Sequence, residues 1–148
     1  MPFNDIIQKL NLEEKVQLVS GASAWRTVPI PGAGVPEMKV SDGPNGVRGD
    51  GGVAAASFPV GICMASTWNT ELVERVGDAI ADEAKSKGVQ IVLGPTINIH
   101  RTPLGGRNFE CYSEDPLLSG MLASAFTDGV QAAGIGACVK HFVCNDSE

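Results

Sequence analysis

Three polar clusters stand out along the chain, each rich in residue types that grip hydroxyl-bearing ligands. They are Ser41-Asp-Gly-Pro-Asn-Gly-Val-Arg48, Gly94-Pro-Thr-Ile-Asn-Ile-His-Arg-Thr-Pro-Leu-Gly-Gly-Arg107-Asn-Phe-Glu110 and Val139-Lys-His-Phe142. Asp42 offers a carboxylate that can accept from two adjacent hydroxyls, and such charge-assisted bonds are about twice as strong as neutral ones. Arg107 follows two glycines, which let the backbone approach a neighbour closely while the guanidinium forks toward acceptors. Lys140 and His141 add further donors. Each residue also has a plainer reading: Asp42 as the start of an Asp-Gly turn, Arg107 as the ion-pair partner of Glu110 or Asp115, and Lys140 with His141 as a snorkelling lysine beside a core-lining histidine.

The remaining polar candidates are weaker. Arg48 reads as a brace for the loop after the first strand, and Arg101 and His100 as lesser members of the second cluster. Trp25 and Trp68 can stack on a ring face, but aromatic residues are usually core and packing is the expectation at both. His100, His141 and the four cysteines, Cys63, Cys111, Cys138 and Cys144, show neither a CxxC pair nor any other metal-ligand spacing, so neither metal nor cofactor is expected.

The elements that must carry these clusters follow from apolar spacing and punctuation. Ile6, Ile7 and Leu10, then Leu12, Val16, Leu18 and Val19, predict two short helices with Asn4 and Asn11 as N-caps. The Pro- and Gly-rich stretch to Glu37 reads as loop, leading into a strand at 38–41 that ends just before Asp42. Residues 43–66 read as a long loop, the kind that builds sites. A helix is predicted from Thr67 or Asn69 as N-cap, along Leu72, Val73, Val76, Ile80 and Ala84, to a stop at Gly88. A buried strand at 89–93 and a second long loop to Asp115 follow. Asp115 as N-cap, with Pro116 at the first helical position, starts a helix to about Ala133 that Gly134 closes. The apolar run 135–143 is read as a third strand.

Strands near 38, 89 and 136 give βα units of roughly fifty residues, and every polar cluster sits just after a strand. That placement predicts an α/β chain forming the first strands and helices of a (β/α)8 barrel, whose loops at the strand C-termini assemble the site. A doubly wound dinucleotide fold is disfavoured because no GxGxxG or P-loop motif is present. A complete barrel needs about 250 residues. The 148 residues are therefore read as the N-terminal portion of such a domain. Its open sheet edge makes the isolated product marginal or aggregation-prone.

Composition narrows the partners. With 43% hydrophobic and 19% charged residues the balance is globular, and a net charge of −6 leaves no basic footprint for nucleic acid or an anionic membrane. No apolar run reaches the roughly 18 residues of a membrane span. An acid as early as Asp5 argues against a signal peptide, so a cytoplasmic location is expected, with secretion of a processed chain as the alternative. Oligomeric state is not legible.

Taken together and in order, the three clusters resemble the N-terminal barrel half of family 3 glycoside hydrolases, particularly the β-glucosidases, over most of residues 1–148. The resemblance implies retaining hydrolysis of terminal β-glucosyl residues from a small β-glucoside or oligosaccharide. It implies that Asp42, Arg107, Lys140 and His141 bind the glucose ring of the reacting subsite, with Arg48, Arg101 and Glu110 in support. Because neighbouring strand residues face opposite sides, Lys140 and His141 reaching one ring would need an irregular backbone. The family's nucleophile, an aspartate on a later strand, and its acid/base residue, from a following domain, have no matching motif in these 148 residues. Hence no catalytic residue is assigned, and this chain alone is expected not to hydrolyse an aryl β-glucoside. Val143-Cys-Asn-Asp146 after Lys-His-Phe favours β-glucosidase over the family's N-acetylglucosaminidases. A β-xylosidase and a non-catalytic sugar-binding remnant are the alternatives.

Overall fold

The computed structural model describes residues 3–49, 53–142 and 145–147, and the chain divides into two compact units, residues 1–40 and 41–148. Cys144 and Glu148 lie outside the described residues.

In the first unit, α1 (Phe3–Lys9) already contains Asn4, so Asn4 does not cap it, contrary to the expectation from spacing. Asn11 does cap α2 (Leu12–Ser20). Its Oδ1 accepts from the Glu14 N–H at 2.9 Å while Glu14 Oε2 accepts from the Asn11 N–H at 2.9 Å, a reciprocal capping box. The segment after α2 is better tied than a free loop: Ile30 bridges Val35 around a 3-10 turn at Pro31–Ala33, and Arg26 bridges Lys39 and pairs with Glu37. These ties explain why the first strand, β1 (Val40–Ser41), begins later than expected. Met38 is engaged instead by Thr27, whose N–H donates to the Met38 carbonyl at 2.9 Å and whose hydroxyl accepts from the Met38 N–H at 2.8 Å.

The sheet has the order β1-β2-β3, β1 entering the second unit at Ser41, with β2 (Ile91–Val92) parallel to β3 (Gly136–Ala137) and Ile91 opposite Gly136. The Ser41 carbonyl accepts from the Leu93 N–H at 2.9 Å. The third strand is much shorter than the apolar run suggested. Cys138 still donates to Val92, but the Gly94 N–H, next in the ladder, turns back to the Val92 carbonyl at 3.0 Å, and pairing resumes only at the parallel bridge Thr96–Lys140. The loop read at 43–66 contains one unexpected helical turn, α3 (Gly61–Ala65), which is too short to show periodicity.

Two 17-residue helices supply the crossovers. In α4 (Thr70–Ser86) Asn69 is the N-cap, its Oδ1 accepting from the Leu72 N–H at 3.0 Å, and Val73, Gly77, Ile80, Ala81 and Ala84 form the buried stripe. In α5 (Pro116–Ala132) Asp115 Oδ1 accepts from the Leu117 N–H at 2.7 Å and the Leu118 N–H at 3.4 Å. Gly88 and Gly134, at φ of 63° and 83°, close the two helices in the left-handed region. The helices touch where side chains vanish: a Cβ on Gly129 would stand 2.1 Å from the Glu74 carbonyl oxygen, and one on Gly77 would stand 2.4 Å from that of Phe126. Phe126, Leu122, Ile80, Val73, Val92 and Val130 are fully buried around this contact. Each large apolar side chain so buried contributes about 1.5–3 kcal/mol of transfer free energy. Trp68 corrects the packing expectation, being 74% exposed, whereas Trp25 is half-buried.

Candidate functional site

At the C-terminal ends of the strands, residues 42–46, Arg48, 55–57, Arg107, Phe109, Glu110 and Lys140 line a hollow of about 420 Å³. Its first wall is the loop after β1. Buried Ser41 donates its hydroxyl to the Asp42 carbonyl at 2.7 Å and accepts from the Gly49 N–H at 2.9 Å, and Arg48 N–H donates to the Asp42 carbonyl at 2.7 Å. Asp42 is thus held at the root of a closed loop, its side chain 36% exposed toward the hollow. Arg48 is exposed and lines the same hollow.

The second wall is organised by one buried acid. Glu110, 8% exposed, forms an ion pair with Arg107 through Oε1 and accepts from the Thr96 hydroxyl at 3.0 Å through Oε2. Burial pushes the Glu110 carboxyl up. The bonds from Arg107 and Thr96, with the charges of Arg107 and Lys140, outweigh it and hold the group below its ordinary value. A carboxyl so held stays ionised at neutral pH, which suits it to orienting Arg107 and unsuits it to proton donation. Of the two partners considered for Arg107, Glu110 is the one observed. Thr96, which links Glu110 to the bridge beside Lys140, carries no mark of its own in the sequence.

Lys140 closes the hollow. Its N–H donates to the Pro95 carbonyl and its carbonyl accepts from the Ile97 N–H, both at 2.9 Å, which locks it beside Thr96. Its ammonium lies 3.5 Å from Asp42 Oδ1, and the lysine side chain is only 15% exposed. Asp42, Arg107 and Lys140, drawn from three successive strand ends, therefore meet around one cavity.

His141 is placed differently. The Lys140–His141 peptide is cis, and the imidazole lines an adjacent hollow of about 180 Å³ with Asn98, Arg101, Val139 and Asp146. The His141 N–H donates to Asn98 Oδ1 at 2.8 Å, and the ring Nδ1 lies 3.4 Å from the same oxygen, so a proton on Nδ1 leaves Nε2 as acceptor. Arg101 donates Nε to Asp146 at 2.6 Å, and Asp146 also accepts from the Ile99 N–H at 3.2 Å. The structure thus brings three of the four expected gripping residues to one cavity and sets His141 with Arg101 in the next. Asn98, which anchors His141, was not singled out. The alternation Thr96, Asn98 on one side of an extended segment was the available signal.

Among the described residues Cys63, Cys111 and Cys138 are free, and no group of three or more His, Cys, Asp or Glu is placed to hold a metal ion. None of the described helices is long and apolar enough to cross a membrane.

Residues 3–148 match the family model described as the glycosyl hydrolase family 3 N terminal domain. The chain is 55% identical over 150 residues to a β-glucosidase of Rhizobium radiobacter, covering 99% of this chain and 18% of that relative, and 49% identical to β-glucosidase B of Emericella nidulans, covering 99% and 18%. Among solved structures, β-glucosidase 3B from Thermotoga neapolitana in complex with α-D-glucose superposes with a TM-score of 0.90 at 45% identity, over 100% of this chain and 24% of that one. The β-glucosidase from Kluyveromyces marxianus in complex with glucose superposes with a TM-score of 0.94 at 47% identity, over 98% and 18%. The chain belongs to glycoside hydrolase family 3 and has the α/β architecture of the opening strands and helices of that family's barrel domain. It spans about a fifth of the length of the curated relatives it matches.

Proposed function

We propose that this chain supplies the glucose-gripping part of a β-glucosidase, an enzyme that hydrolyses terminal β-glucosyl residues with retention. The observation that carries the reading is the cavity in which Asp42, Arg107 and Lys140 meet, with Asp42 and Lys140 at 3.5 Å. The β-glucosidases named above, two of them solved with glucose, support the choice of sugar. In this reading Asp42 accepts from ring hydroxyls, while Arg107 and Lys140 donate to others. His141 and Arg101 border the neighbouring hollow and complete the rim. Fixed charges of this kind bind the ground state and strengthen as the ring distorts toward an oxocarbenium-like transition state.

Retaining hydrolysis needs two carboxyl groups about 5–5.5 Å apart, one as nucleophile and one as acid. Glu110 is committed to Arg107 and Thr96, and Asp42 to the sugar hydroxyls, so neither is assigned those roles. They fall to parts of the longer relatives that these residues do not match. Calorimetric titration of the chain with glucose tests the reading. Binding is expected, and Asp42→Ala should weaken it by at least about tenfold, the loss of one hydrogen bond to a charged group. Equal affinity of the two proteins, or tighter binding of xylose than glucose, contradicts it; the second outcome would favour a β-xylosidase.

A further inference from the structure

We propose that Glu83, in the last turn of α4, and Lys87, the C-cap residue one turn on, are positioning residues that clamp both limbs of the loop forming the first wall of the hollow. Glu83 accepts from the Ala56 N–H at 2.9 Å, from the Val47 N–H at 3.3 Å and from the Lys87 ammonium at 2.9 Å, and Lys87 also donates to the Val47 carbonyl. The two side chains are 16% and 8% exposed. One helix pair thus satisfies both backbone groups of Val47, five residues beyond Asp42, and the amide of Ala56, which lines the cavity itself.

The limbs are close enough to need this control. A Cβ on Gly46, at φ 140°, would stand 2.1 Å from the Ala56 carbonyl oxygen, and Phe58 N–H donates to the Asn45 carbonyl at 2.8 Å. An ordinary i,i+4 pair on a helix surface contributes little and stays in water. A buried pair is tolerated only where its remaining lone pairs and protons are matched. Here they are matched by the backbone of the site loop. Burial pushes the Glu83 carboxyl up, but the bonds from Lys87, Ala56 and Val47 prevail and hold it below its ordinary value, so it remains an acceptor at neutral pH.

The consequence for sugar affinity rests on the glucose-site reading above; the clamp itself does not. The test uses the 148-residue chain and two readouts, amide exchange and glucose titration. Glu83→Gln and Lys87→Met should speed exchange at Val47 and Ala56 while Leu122 and Phe126 in α5 keep their protection. They should also weaken glucose binding about tenfold. Lys87→Arg should retain both properties. The charge swap, Glu83→Lys with Lys87→Glu, should not restore them, because an ammonium at position 83 cannot accept from the two amides. Unchanged exchange at Val47 and Ala56, or full rescue by the swap, would overturn the proposal and reduce the pair to a helix-surface salt bridge. If Lys87→Met also loses protection in α5, Lys87→Arg against the swap decides. Failure of the unmodified chain to bind glucose would sink the glucose-site reading, while exchange at the two amides still judges the clamp.

Discussion

Lys140 Nζ and Asp42 Oδ1 stand 3.5 Å apart across the mouth of a cavity, one beyond the end of β3 and the other beyond the end of β1. Charge-assisted hydrogen bonds close to about 2.7–2.9 Å, so this pair is a loose contact whose two members keep capacity for other partners. A sugar hydroxyl can accept from one while donating to the other.

A loose, partly exposed pair contributes little to folding, since such pairs are worth about 0–1 kcal/mol. Asp42→Asn is therefore expected to shift the denaturation free energy by less than about 1 kcal/mol while glucose affinity falls clearly. Urea melts beside calorimetry separate the two effects. A large stability loss would mark Asp42 as a structural turn residue instead.

Glu110 should give the chain an acid-sensitive limb. Its folded carboxyl is held below the ordinary range by Arg107 and Thr96 despite burial, so it contributes stability that is present above the unfolded value, about 4.3 for a glutamate, and is lost as pH falls through the lower folded value. Glu110→Gln should flatten that part of the stability profile. Melting temperature measured against pH for both proteins shows whether the limb belongs to this residue, and an unchanged profile in the variant would assign it elsewhere.

The crossing of α4 and α5 leaves no room for a methyl group at Gly129. Gly129→Ala should destabilise by about 1–3 kcal/mol, the usual cost of overpacking. Gly120→Ala, in the same helix with nothing within 4 Å of its Cβ, should be neutral or stabilise by up to about 1 kcal/mol through helix propensity. Equal melting temperatures for the two variants would show that the helices can slide apart freely.

Local signals account for what the sequence made legible. Asn69, Asp115 with Pro116, Gly88 and Gly134 mark helix ends through chemistry carried by the residues themselves, and the recurrence of polar clusters after strands points to the hollow that Asp42, Arg107 and Lys140 line. Pairings between distant residues carried no such mark. Thr96 reads as an ordinary threonine until the fold sets it against Glu110, and Glu83 with Lys87 looks like any solvated i,i+4 pair until the site loop covers it. Trp68 departs from the packing expectation because aromatic size signals burial only on average, and its 74% exposure is set by the fold and not by any local sequence mark. His141 is joined to Lys140 by the family resemblance, and nothing in the local sequence signals that Asn98 holds its backbone N–H and that its imidazole borders a second hollow.

A crystal structure of the chain with glucose tests the central claim most directly. The account predicts a glucose ring in the cavity between Asp42 and Lys140, with hydroxyl oxygens within hydrogen-bond reach of Asp42, Arg107 and Lys140. A ring bound elsewhere, or an empty cavity at saturating glucose with the Asp42–Lys140 contact unchanged, would contradict it.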